Sequence, residues 1–146
     1  MPKSESTTSD IEAAGAIDWP ALQREALAAR ARAYCPYSNF AVGAALLTDS
    51  GRIVIGANVE NRSYPATICA ERSALVAANA LGERSFRALV VAADNHPPAR
   101  PCGVCLQMLS EFADRLPVRL INTDGDCEEL DLAELLPFPF RFTEED

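Results

Sequence analysis

A chain of 146 residues, 49% of them hydrophobic, is long enough for one domain with its own core, and that composition excludes disorder along most of its length. A formal net charge of −8 repels phosphate backbones and argues against a nucleic-acid partner. The longest apolar stretches fall far short of a membrane span and no secretory leader is visible, so the five cysteines are expected as reduced thiols in the cytoplasm, with no membrane partner.

Residues 1–16 are polar and acidic and read as a flexible tail, residues 17–142 as a single domain, and residues 143–146 as a short acidic tail. Asp18 is placed to cap a helix that Pro20 helps start, with Leu22, Ala26, Leu27 and Ala31 expected on one face. Two apolar runs, 40–48 and 52–59, joined by Asp49-Ser50-Gly51, predict a hairpin. The pattern turns helical over 69–81, where Gly82 supplies a stop. Residues 86–93 read as a buried strand, 101 to about 116 as a helix ending before Pro117, and 118–122 as a short strand. A fifth strand falls in 127–130, where the alternation is weak, and Asp131 caps a short helix over 132–136. Strands alternating with helices after a hairpin favour a sheet with helices packed on its faces.

Within this frame three cysteines and a glutamate carry the chemistry. Cys102 and Cys105 have the two-residue gap that lets both thiolates grip one metal ion, and Cys69 lies 33 residues upstream of the pair. All three sit at predicted helix starts, whose free N–H groups and partial positive charge favour thiolate over thiol. Three thiolates on a tetrahedral zinc leave one corner for water, and Glu71, two residues after Cys69, is placed to move that water's protons. A closed structural site would need a fourth ligand, for which Cys35, Cys127 or His96 would have to serve. A Ser–His or Cys–His hydrolase would have to use His96, in the proline-rich loop 94–100, and no flanking motif supports it.

The Cys69-Ala70-Glu71 and Pro101-Cys102-Gly103-Val104-Cys105 segments form the zinc-deaminase pattern. Around them stand Tyr34-Cys35-Pro36-Tyr37-Ser38-Asn39-Phe40, Val42-Gly43-Ala44-Ala45-Leu46, Gly56-Ala57-Asn58-Val59-Glu60-Asn61, Ser63-Tyr64-Pro65 and Leu135-Leu136-Pro137 followed by Phe140. In order and spacing these resemble the small homotetrameric class of cytidine deaminases, from about Asp18 to Phe142. The resemblance implies an α/β protein with a three-layer α/β/α arrangement around a mixed five-stranded sheet. It also implies a Zn²⁺ cofactor and hydrolytic deamination of free cytidine and 2′-deoxycytidine in pyrimidine salvage.

Residue by residue, the resemblance makes Cys69, Cys102 and Cys105 zinc ligands and Glu71 the proton shuttle. Asn58 and Glu60 are implied to bind ribose hydroxyls, Phe40 to stack on the base, and Ala70 to read the base edge through its backbone. Tyr64 and Phe140 are implied to reach toward sites shared between subunits. Arg72 is implied to hydrogen-bond the ligand thiolates and so offset the negative charge of a three-thiolate site. The sequence departs from the family's usual pattern at Leu106, where arginine is common, and at Arg62-Ser63, where two small residues are common. The Leu106 departure leans more weight on Arg72; Arg62 would act at the pocket rim or at a subunit contact. Two alternatives stand beside this reading: a deaminase of a modified or antibiotic nucleoside on the same fold, and a non-catalytic zinc-stabilised interaction domain.

Overall fold

The computed structural model describes residues 15–143, so the tails read at 1–16 and 143–146 fall almost wholly outside the described residues. Helix α1 spans Trp19–Arg30; Asp18 Oδ1 accepts the Ala21 N–H at 3.0 Å and Pro20 sits in the first turn, as the sequence predicts. Its buried face is Leu22, Ala26 and Ala29, which corrects the expected set. Leu27 is 39% exposed, and Ala31 is an exposed C-cap. At about 100° per residue Leu27 stands ~140° round from Leu22, whereas Ala26 and Ala29 fall within ~40° of it.

Strands β1 (Gly43–Thr48) and β2 (Ile53–Ala57) form the predicted hairpin. Both are shorter than the apolar runs that announced them. Residues 40–42 leave the ladder because the Asn58 side chain bonds them: its Nδ2 donates to Phe40 O at 2.7 Å and its Oδ1 accepts from Val42 N at 2.8 Å. A 3₁₀ turn, Tyr64–Ala66, leads into helix α2, Ala70–Ala80, with Cys69 as its extended N-cap. Gly82 follows the C-cap at φ +84°, a left-handed position that suits glycine. Strand β3 is Phe86–Ala93.

Helix α3, Gly103–Phe112, starts at Cys102 and is shorter than the 101–116 expected. Ala113 turns extended (φ −150°, ψ 135°), and this lets Leu116, fully buried, drop into the core ahead of Pro117. Strand β4 is Pro117–Asn122, β5 is Cys127–Asp131, and Asp131 caps α4, Leu132–Leu135, by accepting the Ala133 N–H. The β5 signal is weak because this edge strand is polar and partly exposed; Glu129 pairs across to Arg119 of β4 at 2.9 Å, and that guanidinium lies over the Trp19 ring of α1.

The sheet runs β2-β1-β3-β4-β5, with β3 and β4 parallel and the other pairs antiparallel. Alternation along the central strands builds two cores. Ala45 and Leu47 of β1 and Ala88, Val90 and Ala92 of β3 pack with Leu22 and Ala26 of α1. Ala44, Leu46, Leu89 and Val91 point the other way, to Ala74, Leu75, Leu106 and Leu109 of α2 and α3. The result is the three-layer α/β/α arrangement around a mixed five-stranded sheet. It carries both metal-site helices on one face, with their starts together.

Close packing locks α2 to the sheet at Gly56. A Cβ there would stand 2.3 Å from Ala74 N and 2.4 Å from Ala70 O, backbone atoms with no room to yield. Gly56→Ala is therefore expected to lower unfolding stability by roughly 1–3 kcal/mol, and to reduce activity by shifting the helix that carries Glu71. Urea unfolding checks this, and an unchanged midpoint would contradict it.

Candidate active site

The N-caps of α2 and α3 bring the three cysteines together. Cys69 and Cys102 are both extended N-caps, and Cys105 lies one turn into α3. Their sulfurs are separated by 3.8 Å (Cys69–Cys102) and 3.5 Å (Cys102–Cys105), and all three lie within 4.8 Å of one another. Zinc–sulfur bonds of about 2.3 Å in a tetrahedron put sulfurs ~3.8 Å apart, so this donor set matches the corners of a zinc site. All five cysteines are free thiols; Cys35 and Cys127 stand outside the cluster, as does His96, which pairs with Asp126 at 2.8 Å.

Charge in the cluster is poised for a cation. A hydrogen bond from Cys105 holds the Cys69 thiol down to about 5, against the opposing effect of burial and with help from Arg72. Cys105 moves the opposite way, its proton held by Cys69 and its charged form disfavoured by burial. A divalent ion satisfies both sulfurs where one shared proton satisfies them only in turn. Arg72 donates from Nη2 to Thr67 O at 3.0 Å and to Cys69 Sγ at 3.7 Å, so it touches the thiolate side of the site as expected. Leu106 is buried in the larger core with 7% exposure, so this position serves packing and Arg72 is the cation against the sulfurs.

Glu71, in the first turn of α2, is buried and lines the same cavity without joining the three-sulfur group. Burial pushes its carboxyl up to about 7 against the hydrogen bond it takes from its own backbone N–H, and the Cys69 charge adds a smaller rise. A carboxyl near neutrality suits both taking and giving a proton.

The cavity in front of these groups holds about 240 Å³ and is walled by Phe40, Asn58, Glu60, Tyr64 and Ala70 together with Cys69, Glu71 and Cys102. Every implied pocket residue of the chain except Phe140 is thus brought to one place. Asn58 spends one amide hydrogen and one lone pair on residues 40–42, leaving one of each for a ligand. Glu60 is buried and accepts from the Ser38 hydroxyl and from the Tyr37 and Ser38 N–H groups at 3.0 and 3.1 Å. Burial pushes its carboxyl up, but those hydrogen bonds, with Tyr64, outweigh it and leave it below the ordinary value. The left-handed Asn39 (φ 57°), whose N–H reaches Cys35 O, turns Phe40 toward the cavity mouth.

Three polar wall residues escaped the sequence reading as site residues. Ser38 orients Glu60; its place in the Pro-Tyr-Ser motif was the available signal. Thr67 lines the wall and offers its carbonyl to Arg72. Arg100 stands at the rim, paired with Glu128 at 2.7 Å; only its position just before Pro101 hinted at it. Arg62 is exposed and does not line the cavity. Phe140 lies instead in a separate cleft beside the end of α3.

A thiolate metal site at paired helix starts, with a buried carboxyl against it and a nucleoside-sized hollow in front, defines a zinc-dependent hydrolytic deaminase. Residues 20–119 match the family model described as the cytidine and deoxycytidylate deaminase zinc-binding region, and the chain belongs to that family. It is 49% identical over 125 residues to the cytidine deaminase of Sporosarcina psychrophila, covering 85% of this chain and 92% of that one. The structure of cytidine deaminase from Burkholderia pseudomallei superposes with a TM-score of 0.82 at 46% identity, over 85% of this chain and all of the other. Blasticidin-S deaminase of Bacillus cereus is more distant, 30% identical over 109 residues, 68% of this chain and 76% of that one.

Proposed function

We propose that the protein converts free cytidine and 2′-deoxycytidine to uridine and 2′-deoxyuridine with release of ammonia, serving pyrimidine salvage in the cytoplasm. The observation that carries this is the single cavity joining Glu71 and the cysteine cluster to Asn58 and Glu60. The similarity to cytidine deaminases at nearly half the residues favours this reading over a blasticidin-type substrate.

Cys69, Cys102 and Cys105 would hold the zinc ion. When bound, the ion supplies an acidified water as nucleophile for C4 of the pyrimidine. Glu71 takes a proton from that water, delivers it to ring N3, and passes the second proton to the departing amine. One carboxyl works in both directions because burial holds it near neutrality. Phe40 stacks on the base, the Ala70 backbone faces its edge, and Asn58 and Glu60 take the ribose hydroxyls. Arg72 stabilises the ligand thiolates through Cys69.

Tyr64, 53% exposed, and Phe140, 67% exposed, are aromatic surfaces that one chain leaves uncovered. This supports a homotetramer in which Phe140 completes a neighbour's cavity.

Glu60 sets the substrate class. A carboxylate accepts a sugar hydroxyl strongly but disfavours a nearby phosphate, and the net charge of −8 adds a longer-range penalty. Comparing kcat/KM for cytidine, deoxycytidine, cytosine and cytidine 5′-phosphate at one ionic strength tests this. The two nucleosides should be turned over well, cytosine hardly at all, and the monophosphate poorly. Glu60→Gln should raise KM for cytidine about tenfold, the loss of one charge-assisted hydrogen bond. A monophosphate turned over as fast as cytidine would overturn the assignment and point to Arg100, the cation at the cavity rim.

A further inference from the structure

The last described stretch, residues 137–143, is fastened to α3 by one side chain. Gln107 Nε2 donates to Phe140 O at 2.9 Å, and Gln107 Oε1 accepts from Phe140 N at 3.1 Å. One amide thus takes both backbone groups of a single residue, the pairing a neighbouring strand would otherwise give. Arg141 and Asp114 make a second tie at 2.8 Å, but both are exposed and such a pair contributes little.

The segment so held covers no core. It has no helix or strand, and its phenylalanines face outward: Phe138 is 92% exposed, Phe140 67% and Phe142 81%. Phe142 lies edge-on to Phe140 with ring centres 5.3 Å apart, so the two rings brace each other. A strap with a fixed backbone and uncovered rings is arranged to present those rings, and a contiguous apolar surface of this kind marks a contact site. Gln107 stands two positions beyond Cys105 on the same helix. The element that would hold this chain's zinc therefore also sets where its strap projects.

We propose that Gln107 is a positioning residue. It locks the C-terminal strap to α3 so that the Phe140 ring stands at a fixed place for the nucleoside cavity of a second copy of the chain. This rests on the shared-cavity reading above. Without the clamp the Phe140 backbone loses both of its bonds to α3, and its ring must be ordered each time substrate binds. The cost falls on KM, while the cysteine cluster and Glu71 are untouched.

The test measures kcat and KM for cytidine, zinc content and solution mass for Gln107→Ala, Gln107→Glu, Phe140→Ala and the double variant Gln107→Ala/Phe140→Ala. Gln107→Ala should raise KM about tenfold, as expected for two lost hydrogen bonds, while zinc, mass and kcat stay near wild type. Gln107→Glu, which keeps the size but loses the donor to Phe140 O, should act in the same direction and decides the matter if the alanine variant folds poorly. The double variant should bind cytidine no worse than Phe140→Ala alone, because Gln107 acts only through Phe140. Additive losses in the double variant, or wild-type KM in both single Gln107 variants, would overturn the proposal. Co-assembling Glu71→Gln chains with Phe140→Ala chains separates the underlying reading. Turnover above either parent supports a cavity shared between copies; if none returns, the shared cavity fails, while non-additivity still assigns Gln107 to placing Phe140.

Discussion

Glu71→Gln is expected to keep its fold and its zinc while losing at least about 10²- to 10⁴-fold in kcat, the usual worth of general acid–base catalysis. The substitution preserves shape and hydrogen bonding but removes the group that carries protons. Glu71 is buried at the start of α2, lines the cavity, and has its carboxyl raised to about 7. In the proposed scheme the same carboxyl serves at two steps, so its loss should exceed that of a single-step acid. The fold should survive, because a neutral amide in a buried site avoids the burial cost that pushes the carboxyl up. Steady-state rates with elemental analysis check this; near-normal turnover in a zinc-loaded variant would reject the proton-shuttle role.

Cys102→Ala is expected to abolish zinc binding and activity together. Cys102 Sγ is the link in the cluster, 3.8 Å from Cys69 Sγ and 3.5 Å from Cys105 Sγ. Removing it leaves two sulfurs and takes away the N-cap cysteine of α3. A three-sulfur site with one corner for water has no spare ligand, since Cys35, Cys127 and His96 all stand outside the cluster. Cys127→Ala, changing an exposed thiol on β5, should leave zinc and turnover unchanged and serves as the control. Elemental analysis showing one zinc per chain in Cys102→Ala would overturn the ligand assignment.

Much of this was legible before the structure because the informative residues obey local rules. Asp18, Gly82 and Asp131 mark helix ends through capping chemistry that depends only on neighbours in sequence, and each stands where expected. The strand at Phe86–Ala93 is a run of buried apolar residues flanked on one face by each core, a signal that tertiary context does not alter. The misread boundaries have tertiary causes. Residues 40–42 and 58–59 look like strand, yet side-chain bonds from Asn58 hold Phe40 and Val42, and Val59 bridges to Tyr34 and Ile68 instead of extending the hairpin. The end of α3 at Phe112 follows from the need to bury Leu116, which periodicity alone does not reveal.

The site divides in the same way. The cysteine spacing and Glu71 could be read from the chain because metal ligation fixes residue type and interval. Ser38, Thr67 and Arg100 were harder to read, beyond the motif around Ser38 and the place of Arg100 before Pro101, because ordinary polar residues become wall residues only when distant segments meet. Phe140 was read from the resemblance alone, and in this chain it lies in a separate cleft, apart from the cavity.

In the proposed reaction the three-sulfur site and Glu71 together deaminate a nucleoside. The most direct measurement is the yield of ammonia and uridine from cytidine by the zinc-loaded protein, repeated after chelation and after zinc is restored. One ammonia and one uridine should appear for each cytidine consumed, none after the metal is stripped, with recovery when zinc returns. Cytidine left unchanged by protein carrying one zinc per chain would contradict it.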